Sequence, residues 1–225
     1  MGFGRAARRR SVAIVSDSAH DVPPRPSHPH RGVGIAVARA FDGAAFEAAV
    51  QQLVAACGID DSPHMAATAA RVRALWEGRL LGGYGQDLAE VLGNGFADER
   101  SDVVVIRGIA VHGVCPHHLV PFRGVAHVAY LPGGRLHGFG RIARLVDAIA
   151  HRFTYQEWLT RDVVDALVTH GQARGAACLV QAEQLCLLLG EDRRGDERVV
   201  TQAFAGVLEV DAAQRAEVAA LISLS

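Results

Sequence analysis

The sequence predicts an α+β fold in which antiparallel hairpins alternate with helices, and three observations carry that reading. Residues 102–112 and 124–131 are rich in Val and Ile and partly alternating, and Pro132-Gly133-Gly134 follows as a turn. Two stretches then repeat apolar residues at helical spacing. Two further strand-like runs, 176–189 and 198–210, precede a closing helix at 212–224. The order is two helices, two strands, two helices, two strands and a helix, a layered α+β arrangement.

Taken in order, residues 1–40 are rich in Arg, Pro, His and Ser and read as a flexible arm. The basic run Arg5 to Arg10 is a solvated tail. His20, His28 and His30 could bind a metal adventitiously, but the favoured reading is a polar tail. Residues 41–80 form an N-terminal helical region. It has an Ala-rich helix from Phe41 to Cys57 and a second from Ser62 to Trp76, whose apolar face is Val72, Leu75 and Trp76. Gly82, Gly83 and Gly85 mark a connection into the main domain, residues 81–225. After the first hairpin, one helix starts near Gly140 with Ile142, Leu145, Val146 and Ile149 on one side. The next starts near Tyr155 and contains Leu159, Val163, Val164 and Leu167.

A chain of 225 residues, half of them hydrophobic and 21% charged, can bury one substantial core. A formal net charge of −1 argues against disorder and against binding nucleic acid as a polyanion. No apolar stretch is long enough to span a bilayer, and Asp17 breaks the short Val12–Val15 patch that follows the Arg cluster. The four cysteines, Cys57, Cys115, Cys178 and Cys186, do not form a secreted disulfide framework. The expected location is the cytoplasm, with no membrane partner.

The chemistry concentrates in Cys115-Pro116-His117-His118 and in Cys186. Two thiolates and an imidazole suit zinc, and three protein ligands leave a fourth tetrahedral position open. On spacing alone the case is weak. Cys-x-x-His occurs without metal, and Cys186, between Leu185 and Leu187 on an expected strand, also reads as a small core residue.

The surrounding residues resemble the GTP cyclohydrolase I family over residues 58–224. Its metal turn, Cys-Glu-His-His, is similar to Cys115-Pro116-His117-His118-Leu119-Val120-Pro121-Phe122, and its Ala-Tyr-Ile/Leu-Pro to Ala129-Tyr130-Leu131-Pro132. Its helix Gly-Leu-Ser-Lys-Ile/Leu-Ala-Arg-Ile-Val resembles Gly138 to Val146. Its Val-Gln-Glu-Arg-Leu-Thr resembles Tyr155 to Thr160, and its Glu-Ala-x-His-x-Cys-Met resembles Gln181 to Leu187.

The resemblance implies a tunnelling-fold (T-fold) unit, an antiparallel sheet with helices on one face, whose barrel closes only by oligomerisation. A homo-oligomer follows, with a decamer as the candidate size and sites between subunits. It also implies roles: Cys115, His118 and Cys186 as Zn2+ ligands, and His117 as the acid/base group serving the purine's five-membered ring. Gln156 and Glu157 would clamp guanine, because a carboxylate accepts from the N1–H and 2-amino edge that adenine lacks. Arg141 and Arg144 would hold the triphosphate. Plainer readings stay open: a solvent-facing His117, an exposed helix start at Glu157, surface ion pairs for the arginines. The implied reaction opens the imidazole ring of GTP at C8, releases formate and forms 7,8-dihydroneopterin triphosphate.

Departures from the family gather at this site. Gln184 stands where the family has His, so a step needing that proton shuttle would be slow or absent. Pro116 and Gln181 replace acids, Gly140 a Ser, and Gly190 an Arg that Arg193 or Arg194 would have to replace. Two alternatives follow. One is an enzyme that stops at the ring-opened formamidopyrimidine or takes another purine nucleotide. The other is a catalytically silent purine or pterin binder.

Overall fold

The computed structural model describes residues 34, 40–59, 62–190, 195 and 197–223. The expectations placed on Arg5 to Arg10, on His20, His28 and His30, and on Arg193 and Arg194 lie outside the described residues. Gly34, the first of the described residues, donates its N–H to Asp162 Oδ2 at 3.0 Å.

Helix α1, Gly43–Ala56, begins where Asp42 accepts from the Ala45 N–H, an ordinary N-cap. The single helix expected over 62–76 is instead three pieces. A 3₁₀ turn spans Pro63–Met65, α2 spans Thr68–Leu75, and a π-helical turn spans Trp76–Leu80. The expected apolar face is also corrected, because Leu75 is 52% exposed. Arg73 takes the inward role: its guanidinium lies over Gly43, where a Cβ would collide with it, and pairs with Glu47 and Glu77 at 3.5 and 3.2 Å. Trp76 stacks between Phe46 and Phe153, with ring centroids 5.5 and 6.1 Å away, and so ties the N-terminal helices to the main domain.

A short helix that the sequence reading omitted, α3 at Leu88–Leu92, is capped by Asp87, which accepts from Ala89 and Glu90 N–H. A two-stranded ribbon pairs β1, Phe96–Ala97, with β4, Arg135–Leu136.

The main sheet is antiparallel in the order β2-β3-β5-β6. Its strands are β2, Val104–Val114; β3, Pro121–Leu131; β5, Gly175–Gln184; and β6, Val199–Gly206. A bulge at Arg107-Gly108 interrupts the β2–β3 register, and Gly108 takes φ +76°, which suits a residue without Cβ. Helices α4, Phe139–Ala150, and α5, Gln156–Thr169, lie on one face. Ile142, Leu145, Val146 and Ile149 of α4, and Leu159, Val163, Val164 and Leu167 of α5, are fully buried, as their spacing predicts. They meet Val111, Ala126, Val128, Cys178 and Val180 of the strands. Side chains alternate across a sheet, so Ala129, Leu131 and Ala177 face the other way. There the closing helix α8, Ala212–Ser223, covers them with Val218 and Ile222.

Both late strands are shorter than expected. At Leu185 the chain leaves the sheet and forms a helical turn, α6, Leu185–Leu188; at Val207 it forms another, α7, Val207–Val210. The first change has a plain cause. Gln184 pairs with Phe122, one residue from where β3 begins at Pro121, and beyond it there is no neighbouring strand to satisfy an extended backbone. The second comes at Gly206, where φ is +62°.

Candidate metal and nucleotide site

The β2–β3 hairpin closes over residues 115–120. Cys115 N–H donates to Val120 O at 3.0 Å and Leu119 N–H to Cys115 O at 2.9 Å, with Leu119 in the left-handed region at φ 55°. This tight loop projects Cys115 and His118 from one end of the sheet. Strand β5 runs beside β3 to the same end, and the α6 turn swings Cys186 back toward the loop. The ligating atoms of Cys115, His118 and Cys186 consequently lie within 4.8 Å of one another.

Cys115 is buried, Cys186 half-buried and His118 exposed. Burial raises the Cys186 thiol above its ordinary value, and the adjacent Cys115 adds to the effect by charge and hydrogen bonding. Two thiols held together in a partly dry site favour a soft divalent cation, which relieves the repulsion between their thiolates. The donor set therefore fits a metal, with an exposed imidazole on the open side.

His117 lies in the same loop. Its Nε2 is 3.1 Å from the Tyr155 hydroxyl and its ring 6.1 Å from that of His118. Tyr155 is the N-cap residue of α5, so the loop at 115–120 meets the start of the helix that carries Gln156 and Glu157. These two point differently. Glu157 is exposed, whereas Gln156 is 3% exposed and its amide is committed within the fold. Gln156 Nε2 donates to Val180 O and Val199 O at 3.1 and 3.0 Å and lies 3.3 Å from Thr201 Oγ1. Gln156 Oε1 accepts from Gln184 Nε2 at 2.7 Å. Thr160 links the same cluster by donating to Gln156 O and meeting Thr201 Oγ1.

Arg141 and Arg144 are exposed on α4. Arg141 Nη1 donates to Val91 O at 3.1 Å, at the carbonyl end of α3. No contact among the described residues joins either arginine to the Cys–His–Cys group. His112 lines a cavity of about 670 Å³ with Arg123, Asp147, His151 and Leu185, between β2, β3 and α4. His127 sits partly buried on β3 with its Nδ1 unpartnered among the described residues.

Sequence reasoning passed over Tyr155 and Trp158. A signal was present: an aromatic residue occupies a position where Ser, Thr, Asp or Asn normally caps a helix.

A family model described as GTP cyclohydrolase I matches residues 46–223. The GTP cyclohydrolase 1 of Ralstonia nicotianae is 66% identical over 185 residues, covering 82% of this chain and 88% of the relative. That of Chromobacterium violaceum is 68% identical over 178 residues, 79% of this chain and 86% of the relative. That of Mycolicibacterium paratuberculosis is 42% identical over 187 residues, 82% and 91%. Matches of this extent, on a fold that gathers Cys115, His118 and Cys186, mean that the chain belongs to the GTP cyclohydrolase I family.

Proposed function

We propose that this enzyme hydrolyses GTP at C8, releases formate and forms 7,8-dihydroneopterin triphosphate, with zinc at Cys115, His118 and Cys186. The observation that carries the reading is the convergence of those three ligands beside His117. Zinc, when bound, supplies Lewis acidity and brings water to reactivity near neutral pH. The chain's own residues do the rest. His117 holds a proton for the purine's five-membered ring. Glu157, exposed at the start of α5, offers its carboxylate to the N1–H and 2-amino edge of guanine. Gln156 serves the guanine site by fixing that helix start to β5 and β6 through its amide. Arg141 and Arg144 supply positive charge for the triphosphate.

The sheet is a T-fold unit that stays open among the described residues, with β2 and β6 as its edges. Unpaired strand edges on both sides support assembly into a closed barrel, a homo-oligomer with sites shared between subunits. No described helix is long and apolar enough to cross a membrane. The four free cysteines fit the reducing cytoplasm.

One observation favours a second reading. Gln184 cannot shuttle a proton, and its amide nitrogen is committed to Gln156. An enzyme that stalls after ring opening, at the formamidopyrimidine, is its consequence. Mass spectrometry of zinc-loaded protein incubated with GTP separates the cases. Dihydroneopterin triphosphate with formate supports the full reaction, a product of GTP plus water without formate supports the stalled one, and unchanged GTP overturns both.

A further inference from the structure

Among the described hydrogen bonds, His117 has one side-chain partner, and it is Tyr155. The two rings stand 4.9 Å apart at 56°, with Oη 3.1 Å from Nε2. Tyr155 is itself held from behind. The Trp158 ring meets it edge-on, 4.8 Å away at 80°, and Trp158 is only 9% exposed. A buried indole thus fixes a phenol, and the phenol fixes an imidazole. A tyrosine hydroxyl keeps its proton across the neutral range and is therefore available to donate.

The two nitrogens of a neutral imidazole have opposite roles, and the partner of one decides the role of the other. With Nε2 occupied by Tyr155, the edge left for a substrate is Nδ1. We infer that Tyr155 is the positioning residue of His117: its hydroxyl donates to Nε2, selects the Nδ1–H tautomer, and presents that N–H to the purine's five-membered ring. The substrate side of this inference rests on the acid/base reading of His117; the tautomer itself does not. In water a neutral histidine prefers the Nε2–H form, so the loop uses a hydrogen bond from another element to invert that preference. The phenol reaches only one nitrogen, so it also sets the ring plane.

The test is Tyr155→Phe, which keeps the ring against Trp158 and removes only the hydroxyl. Two readouts are taken on the zinc-loaded full chain. The first is solid-state ¹⁵N NMR of histidine-labelled protein, with the His117 signals assigned by their loss in His117→Asn. Wild type should show Nδ1 protonated and Nε2 bare, and Tyr155→Phe should revert to Nε2–H. The second is GTP turnover. Loss of an orienting partner of this kind should lower kcat about 10–100-fold, with KM within twofold and metal content unchanged. An Nε2–H form in wild type, or one tautomer shared by both proteins, overturns the inference. So does a change confined to KM, or loss of metal from Tyr155→Phe. If wild type does not turn over GTP, the functional reading falls and the NMR comparison alone decides the tautomer.

Discussion

Gln184 Nε2 donates to Gln156 Oε1 across 2.7 Å, and the direction of that bond is fixed by what lies behind it. The Gln156 amide nitrogen faces two backbone carbonyls, Val180 O and Val199 O. Turning the amide over would set oxygen against oxygen, so Oε1 must face Gln184 and accept. Gln184 in turn spends its NH2 on Gln156, and its carbonyl oxygen takes part in none of the described hydrogen bonds. That bond ties the end of β5, two residues before Cys186, to the start of α5.

The first prediction follows from that chain of donors. Gln156→Glu replaces a buried donor by an oxygen and leaves the Val180 and Val199 carbonyls without it. The expected loss of unfolding free energy is about 2–3 kcal/mol. Gln184→Ala breaks one bond at a half-exposed position and should cost about 1 kcal/mol. Urea denaturation of the two variants measures both, and equal losses would contradict the burial argument.

Metal content tests the cysteine group. Cys115→Ser, His118→Asn and Cys186→Ser should each purify with little bound zinc, and chelation of the wild type should abolish turnover until zinc is restored. Cys178 is the internal control. It is fully buried on β5, and desolvation pushes its thiol up to about 12. Cys178→Ala should retain zinc, and in the folded protein Cys178 should resist thiol reagents at pH 8. Elemental analysis and thiol titration read these outcomes, and zinc retained by Cys186→Ser would remove that residue from the ligand set.

Periodicity made α4 legible. Ile142, Leu145, Val146 and Ile149 repeat at helical spacing because they face a continuous apolar sheet, and all four are fully buried. Helix α3 was missed because five residues are too few for a period, and only the Asp87 cap announces it. The run from Leu185 to Leu189 read as strand by composition, yet pairing decides strands. The missing partner beyond Pro121 turns the chain into α6 and delivers Cys186. The Cys115–His118 half of the site is local and could be read from spacing. Tyr155 could not, because its contact with His117 joins positions that only the packing of α5 against the hairpin brings together.

Acid should destabilise the fold in part through His127. Burial, then the nearby Arg107, lowers the His127 pKa below the ordinary value of about 6.5. A depressed folded value means that the unfolded chain binds the proton more tightly. The stability from the neutral ring is then complete above about pH 6.5 and is lost as pH falls through the folded pKa. His151 acts in the same direction, mainly through burial. Urea midpoints should fall between pH 7.5 and pH 5.5, and His127→Gln should flatten part of that slope. A slope unchanged by the substitution would assign it elsewhere.

The close approach of Gly83 to α4 gives a last prediction. Gly83 N–H donates to His151 O at 2.9 Å, at the carbonyl end of that helix. A Cβ at Gly83 would stand 2.2 Å from Ala148 O and 2.7 Å from His151 O, whereas one at Gly85 would meet nothing within 4 Å. Both obstacles at Gly83 are backbone atoms of a helix whose other side is locked into the core, so neither can yield cheaply. Gly83→Ala should therefore cost about 1–3 kcal/mol, and Gly85→Ala should change stability by less than about 0.5 kcal/mol. The strain should also reach the site. The segment after His151 pairs Phe153 with Val114, the residue before Cys115, and then leads to Tyr155. Gly83→Ala should accordingly weaken zinc retention during thermal ramping, where Gly85→Ala does not. Equal melting curves for the two variants would show that the α4 terminus is free to move, and would separate Gly83 from the metal turn.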